Sequence, residues 1–184
     1  MTSYTRPPTK RVLIKLLALW PLVVRTVAPA RAAEAGASRR FAGIGLVLVV
    51  DAVPGAEMRG VAFYNEAGRE IYGSAVQTKR NRSIIASGGR ILGSVRVIWR
   101  ENPTTVWGKS GIDFEGTIIG DYTVDVAQRI PDEVLTDIRA HGGGLRLKFR
   151  LKPDGVLFGW DIERPGGGIS KFDMPGGDFL DTRY

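Results

Sequence analysis

Hydrophobic and polar residues alternate most regularly over residues 145–163. Apolar residues occupy every second position from Leu145 to Leu151, with basic residues between them, and a second alternating run extends from Val156 to Ile162. Such alternation is typical of strands with one buried and one solvent-exposed face. The intervening Lys-Pro-Asp-Gly segment at 152–155 suits a tight turn, because Pro presets φ and Gly accepts a positive φ. The pattern therefore predicts a β-hairpin.

The length of this turn also predicts the register of the hairpin. A four-residue loop places Arg146 opposite Asp161, whereas a slip of one residue would place Leu147 opposite Asp161 and mix the two faces. We expect the apolar face to pack on the core and the charged face to lie in solvent. Arg146, Asp161 and Glu163 on that charged face are candidates for contact with a partner.

Similar but weaker patterns predict the rest of the fold. Further strands are expected at 41–50, 58–63, 70–76, 94–100 and 122–126, and the segments 77–94 and 101–120 are expected to be loops. The only clear helix is expected over about 131–141, where Pro131 and two acids open the segment and Gly142 ends it. Its start is uncertain by one residue, because Ile130 is a poor N-cap.

These elements predict a single α+β domain. It comprises a mostly antiparallel β-sheet with one packed helix, spans residues 41–164, and includes the hairpin 145–163 in its C-terminal half. Residues 33–40 are expected to be a flexible N-terminal segment, and residues 165–184 an irregular Gly-rich tail.

The charge of the chain is concentrated at its N-terminus. The formal net charge is +7, but residues 1–32 contain six of the 26 basic residues and none of the 19 acidic ones. The remainder is nearly neutral and lacks the basic surface expected of a nucleic-acid-binding protein. Residues 1–32 combine a basic start, a nine-residue apolar run at 16–24 and small residues, which predicts a secretory signal cleaved near residue 30 or 32. An uncleaved anchor and a simple basic tail are the alternatives.

Composition also limits the possible chemistry. The chain has no cysteine and a single histidine, His141, which we expect to complement the negative end of the helix dipole. We therefore expect no metal, no cofactor and no nucleophile–histidine pair. Paired carboxylates at Asp161 and Glu163, and at Asp113 and Glu115, leave a small cell-envelope hydrolase as an alternative.

Several further residues are candidates for an interface by residue type alone. Trp107, in the expected loop 101–120, either covers one end of the sheet or anchors a protein interface, where Trp and Arg contribute most binding energy. Arg100 is an interface candidate for the same reason. Arg80 and Arg82 belong to a local basic cluster that is either a solvated loop or a contact for an acidic partner or lipid head groups.

Part of the chain resembles a family of secreted proteins. The resemblance spans about residues 88–179 and is most specific in the Gly-Trp-Asp-Ile-Glu-Arg segment at 159–164. It rests further on the strands 95–100 and 145–151, the Ile-Pro-Asp-Glu-Val-Leu segment at 130–135 and the Gly-Gly-Asp-Phe segment at 176–179. These segments look like the small exported proteins, often lipoproteins, that are encoded beside type VI secretion phospholipase effectors and thought to act as their immunity proteins. Many such proteins carry a lipid-anchoring cysteine after the signal and a longer segment after the equivalent of Arg164, and this chain has neither feature.

The resemblance implies a function without catalysis. It implies a soluble periplasmic protein that binds a secreted lipase-type effector and blocks its activity. Residue types leave open the hydrolase and a structural or glycan-binding envelope module that uses Trp107. The oligomeric state and any contact with a membrane are left open.

Overall fold

The structure is a computed structural model that describes residues 40–85, 93–108, 111–166 and 170–182, without the side chains of residues 82, 84 and 85. The expected signal over residues 1–32 lies outside the described residues, as do residues 33–39 of the expected flexible segment. Arg40 is described, and it is fixed rather than free, because its guanidinium binds the Asp132 carboxylate at 2.7 Å.

Strands make up most of the described chain, as the sequence predicts. In chain order the elements are β1 (Gly45–Ala52), β2 (Met58–Asn65), β3 (Glu70–Gln77), β4 (Asn81–Ile85), β5 (Ser94–Gly108), β6 (Gly111–Asp125), α1 (Val126–Arg129), α2 (Asp132–His141), β7 (Gly144–Lys152), β8 (Gly155–Arg164) and β9 (Lys171–Gly177).

The strands form two sheets that enclose one core. The first sheet has the order β4-β1-β7-β8-β9 and the second the order β3-β2-β5-β6. All pairs are antiparallel except β1 with β7. Phe63 of the second sheet meets Phe149 of the first edge to face, with ring centroids 5.3 Å apart, and both residues are fully buried. The predicted α+β class with mostly antiparallel sheet is therefore confirmed.

Helix α2 packs on this core with the face that the sequence predicts. Val134, Leu135 and Ile138 are buried and belong to the common core cluster. The helix is capped by Gly142, which has a φ of 76°, a value that glycine adopts without steric cost. The Gly142 N–H donates to the Ile138 carbonyl oxygen at 2.8 Å. Pro131 takes the N-cap position, so the helix begins one residue later than the expected start.

The register of the β7–β8 hairpin is confirmed, but the expected solvent-exposed face is wrong. Arg146 pairs with Asp161 and Leu147 with Trp160, as the turn length requires. Arg146 and Asp161 are nevertheless only 1% and 0% exposed. The reason lies outside the hairpin, because the segment after β8 returns across the outer face of the first sheet and covers it.

Three other expectations are also wrong. The tail after residue 164 is not irregular throughout, since β9 pairs antiparallel with β8. The expected loop 77–94 contains β4, which pairs with β1. The expected loop 101–120 is mostly strand, since β5 and β6 extend well beyond the core as a long hairpin.

Candidate functional site

The candidate residues fall into two groups in the structure. Arg146 and Asp161 lie inside the protein, between the first sheet and the C-terminal segment. Trp107 lies at the far end of the β5–β6 hairpin and is 84% exposed. These two regions have different chemistry and are considered in turn.

The first region is a buried charged layer on the outer face of the first sheet. The Asp161 carboxylate accepts hydrogen bonds from Arg146 at 2.5 and 2.6 Å and lies 3.0 Å from the Lys148 ammonium. The layer thus places two cations on one buried carboxylate. Loss of hydration lowers the pKa of Lys148, while the neighbouring Asp161 acts in the opposite direction.

The C-terminal segment supplies the remaining partners of this layer. The Phe172 ring lies 3.7 Å below the Arg146 guanidinium, and the Phe179 ring lies 5.2 Å from the Lys148 ammonium. The main-chain carbonyl oxygen of Asp181 accepts a hydrogen bond from Lys148 at 2.9 Å. Aromatic rings and carbonyl oxygens can together replace the water that these cations lose.

A single aspartate, located between Phe172 and Phe179 in the sequence, fixes that segment to β8. The Asp178 carboxylate accepts hydrogen bonds from the main-chain N–H of Phe158 at 2.9 Å and from Arg129 at 2.5 Å. The Asp178 N–H donates in turn to the Phe158 carbonyl oxygen at 2.8 Å. The charged layer is therefore a structural feature, and its residues do not form a surface on which a partner could dock.

The second region is the projecting part of the β5–β6 hairpin, here called the arm (residues 100–108 and 111–118). Irregularities in the pairing at Trp99/Arg100 and between Glu101 and Thr104 separate the arm from the regular sheet. The arm bends across β2, where Gly60 has a φ of 52° and a Cβ at that position would lie 2.8 Å from the Pro103 Cβ. Arg100 donates to the Gly60 carbonyl oxygen at 3.0 Å, so it secures the bend.

The arm carries an exposed apolar face. Cross-strand partners share a face, and Trp107 pairs with Ile112 while Thr105 pairs with Phe114. Trp107 is 84% and Ile112 49% exposed. The exposure of Trp107 excludes its alternative role as a cover over the sheet. It is the one sequence candidate that the described part of the chain presents fully to solvent with apolar neighbours.

A cleft of about 350 Å³ lies between the arm and the edge strand β3. Its residues come from both sides of the cleft: Glu70, Gly73, Ser74, Ala75, Thr105, Ile112 and Phe114. Glu70 is exposed, but surrounding protein atoms remove part of the hydration of its carboxylate, and the nearby Asp113 repels its charge. Both effects raise the pKa of Glu70, and Arg100 acts in the opposite direction.

A second cleft of about 500 Å³ lies on the outer face of the second sheet. Its wall includes Arg96, which binds Asp121 through two hydrogen bonds of 2.8 and 2.6 Å. This pairing raises the pKa of Arg96 and lowers that of Asp121. Arg96 is therefore already paired with a carboxylate.

The other candidates have local roles or lie outside the described residues. The Glu163 carboxylate accepts a hydrogen bond from Ser170 at 3.0 Å. Arg80 is exposed, and the Arg82 side chain is not among those that the structure describes. His141 binds Asp137 at 2.7 Å, one helical turn earlier. In the described ranges no group of three or more His, Cys, Asp or Glu residues is placed to hold a metal ion.

Sequence reasoning missed the arm and the cover of the charged layer. A signal for the arm existed, because the Thr-Thr-Val-Trp segment at 104–107 is rich in residues that favour strands and Ile112 to Glu115 alternates, on either side of a glycine-containing turn. A signal for the cover existed in Phe172 and Phe179, which are large apolar residues within an otherwise glycine-rich tail.

Comparison with known proteins adds no further identification. The fold defines the chain as a two-sheet α+β protein with a projecting hairpin. The chain matches no protein-family model, no curated protein and no solved structure. Within the described residues, no helix is both long enough and apolar enough to cross a membrane.

Proposed function

We propose that the chain is a non-enzymatic periplasmic protein that binds a secreted lipase-type effector and neutralises it. The observation that carries this proposal is the exposure of Trp107 at the end of the bent arm. A large aromatic residue in solvent is a typical centre of a protein interface, since its burial on binding contributes a large apolar area. The resemblance of residues 88–179 to effector-associated immunity proteins supplies the class of partner.

The burial of Asp161 weakens the alternative hydrolase where that alternative depends on the pair Asp161 and Glu163. A carboxylate pair that cleaves glycosidic bonds must border a cleft that the substrate enters. Asp161 is fully buried, and Arg146 and Lys148 hold its carboxylate. The pair Asp161 and Glu163 therefore has no access to a substrate in this conformation.

Co-expression provides the test of the proposed function. The probe is the product of the gene adjacent to the one that encodes this chain, directed to the periplasm of a host cell with and without this protein. We expect the cells to survive only when this protein is present, and the two proteins to co-purify in a defined ratio. Cell death in both cases, with no complex on size-exclusion chromatography, would contradict the proposal.

A glycan-binding module is the second candidate, because an exposed indole ring can also stack on a sugar. Titration of the purified protein with peptidoglycan fragments distinguishes the two. A change in Trp107 fluorescence that saturates with the fragments, and disappears in Trp107→Phe, would favour the glycan-binding module.

A further inference from the structure

The edge strand β3 differs from the other sheet edges in the described chain. An exposed edge offers unpaired N–H and C=O groups, and proteins usually protect such an edge with Pro, Lys, an irregular backbone or a short length. Strand β9 contains Lys171, Pro175 and Met174 with a positive φ of 48°. Strand β4 has only five residues, and β6 contains four acidic residues and irregular pairing. Strand β3 has eight residues, Glu-Ile-Tyr-Gly-Ser-Ala-Val-Gln, with neither Pro nor Lys. The one irregularity in its pairing with β2 lies near its start, between the partners Tyr72 and Glu70, and the pairing from Tyr72 to Gln77 is regular in register.

The surface beside this edge is open. Strand β3 pairs only with β2 in the sheet order of the described residues. Ala75 and Gly73 are exposed, and Val76 is 46% exposed. On one side of β3, the arm forms the opposite wall of the 350 Å³ cleft through Thr105, Ile112 and Phe114. A strand added to β3 would therefore direct alternate side chains into that cleft.

The negative charge beside the cleft favours a docked segment with a basic side chain. Glu70 and Asp113 interact by repulsion, and within the described residues neither has an ion-pair partner within 4 Å. Glu70 lines the cleft, whereas Asp113 lies on the face of β6 opposite to Ile112 and Phe114. A basic side chain in the cleft beside Glu70 would pair with its carboxylate, whereas an acidic side chain would add repulsion. The nearby cation, Arg100, is held by the Gly60 carbonyl oxygen.

We infer that β3 is a docking edge for an extended segment of a partner protein, which adds a strand to the second sheet and places a Lys or Arg in the cleft beside Glu70. This mode of recognition takes its affinity from main-chain hydrogen bonds and its specificity from alternate side chains. The inference deepens the proposed function and rests on it for the identity of the partner. Trp107 lies on the same face of the arm as the cleft, so it would contact the same partner.

A synthetic peptide tests the edge without knowledge of the partner. The probe is a capped nine-residue peptide of alternating Thr and Val with one central Lys, added to isotope-labelled full-length protein. We expect NMR shifts in residues 70–77 and slower hydrogen exchange at alternate amides of β3, since a paired strand protects every second amide. A peptide with Glu in place of Lys should bind about threefold to tenfold more weakly. A peptide N-methylated at alternate positions should produce no shift.

Variants of the protein provide matched controls. Ala75→Lys places a charge on the docking edge, and Thr117→Lys places the same charge on the exposed edge strand β6. We expect at least a tenfold loss of peptide binding for Ala75→Lys and no change for Thr117→Lys, with equal thermal midpoints. Glu70→Gln combined with Asp113→Asn should remove the preference for Lys over Glu without unfolding the edge. NMR shifts outside residues 70–77, or peptide binding by Ala75→Lys as tight as by wild type, would overturn the inference.

Measurements of effector binding by wild type and by Ala75→Lys test this inference and the proposed function separately. If the effector binds wild type and Ala75→Lys equally, strand addition at β3 is refuted while the neutralisation proposal stands. If the effector does not bind at all, the proposed function fails, and the peptide titration alone decides about the edge. If wild type forms a dimer in sedimentation experiments and Ala75→Lys is a monomer, the occupant is a second copy of the chain and the inference is overturned.

Discussion

Arg146 and Asp161 form a two-bonded ion pair, at 2.5 and 2.6 Å, that solvent does not reach. Arg96 and Asp121 form a pair of the same kind on the second sheet, and their side chains are 51% and 46% exposed. The protein therefore contains two chemically equal pairs that differ chiefly in their contact with water.

This difference in exposure predicts that Asp-to-Asn substitutions in the two pairs lower the free energy of unfolding by different amounts. Asp161→Asn should lower the free energy of unfolding by about 3–5 kcal/mol, because Arg146 and Lys148 remain buried without a counter-charge. Asp121→Asn should lower it by no more than about 1 kcal/mol, because water stabilises the released Arg96. Urea unfolding followed by circular dichroism measures both values. Equal losses would show that the buried layer is hydrated in solution.

The pKa of Asp178 predicts a dependence of stability on pH. Partial loss of hydration raises this pKa, but the hydrogen bonds from Arg129 and from the Phe158 N–H outweigh it, so the pKa lies below its usual value. The unfolded chain then binds the proton more readily than the folded protein. The stabilisation is complete above the unfolded pKa of about 3.9 and is lost as the pH falls through the lower folded pKa.

Asp178→Asn should therefore act in a defined pH range. We expect a loss of about 1–2 kcal/mol at pH 7 and a shallower decline of stability in the acid range. Unfolding in urea at a series of pH values from neutral to strongly acid measures the difference. Asp125→Asn is the control, since Asp125 is exposed and its side chain makes no cap hydrogen bond. Parallel curves for wild type and Asp178→Asn would contradict the assignment.

The contact between the arm and β2 predicts different losses of stability for alanine substitutions at two glycines. Gly60 and Gly68 have φ values of 52° and 72°, but only Gly60 lies against another chain segment. A Cβ added at Gly60 would lie 2.8 Å from the Pro103 Cβ, whereas a Cβ at Gly68 would meet nothing within 4 Å. Gly68→Ala should cost about 1 kcal/mol from backbone strain. Gly60→Ala should cost about 1–3 kcal/mol more, because the methyl group displaces the arm. Equal losses in urea unfolding would show that the arm is not packed on β2.

Trp107 predicts an effect on binding without an effect on folding. Because its side chain is 84% exposed, Trp107→Ala should change the free energy of unfolding by no more than about 0.5 kcal/mol. Binding of the effector should weaken about 30-fold, as expected for an interface residue that contributes about 2 kcal/mol. Isothermal titration calorimetry measures the affinity. Leu180→Ala, at a residue that is 63% exposed and distant in sequence, should bind as wild type does.

Local patterns predict local structure well in this chain. The alternation from Leu145 to Ile162 and the turn between the two runs determine the hairpin and its register, since both depend on neighbouring residues only. The same pattern does not show what lies over the polar face. Arg146 and Lys148 are basic residues at alternating positions, which is typical of an exposed surface, yet Phe172 and Phe179 cover them.

Features that depend on distant segments are not predictable in this way. Strand β4 has few residues, and its existence depends on pairing with β1. The arm contains Pro103 and several glycines, so its composition indicates a loop, whereas the cross-strand pairs from Thr104 to Trp107 make it a hairpin. The cleft between β3 and the arm brings together Glu70 and Phe114, which lie far apart in the sequence.

The parallel pairing of β1 with β7 also has a kinetic consequence. Asp51 and Arg150 meet across these two central strands at 2.7 Å although 99 residues separate them. The middle of the first sheet therefore cannot form until most of the chain is present, and such non-local topologies fold in milliseconds to seconds rather than in microseconds. A delay of this kind keeps a polypeptide unfolded while it is still threaded through a secretion channel, so slow folding would suit the export that we propose.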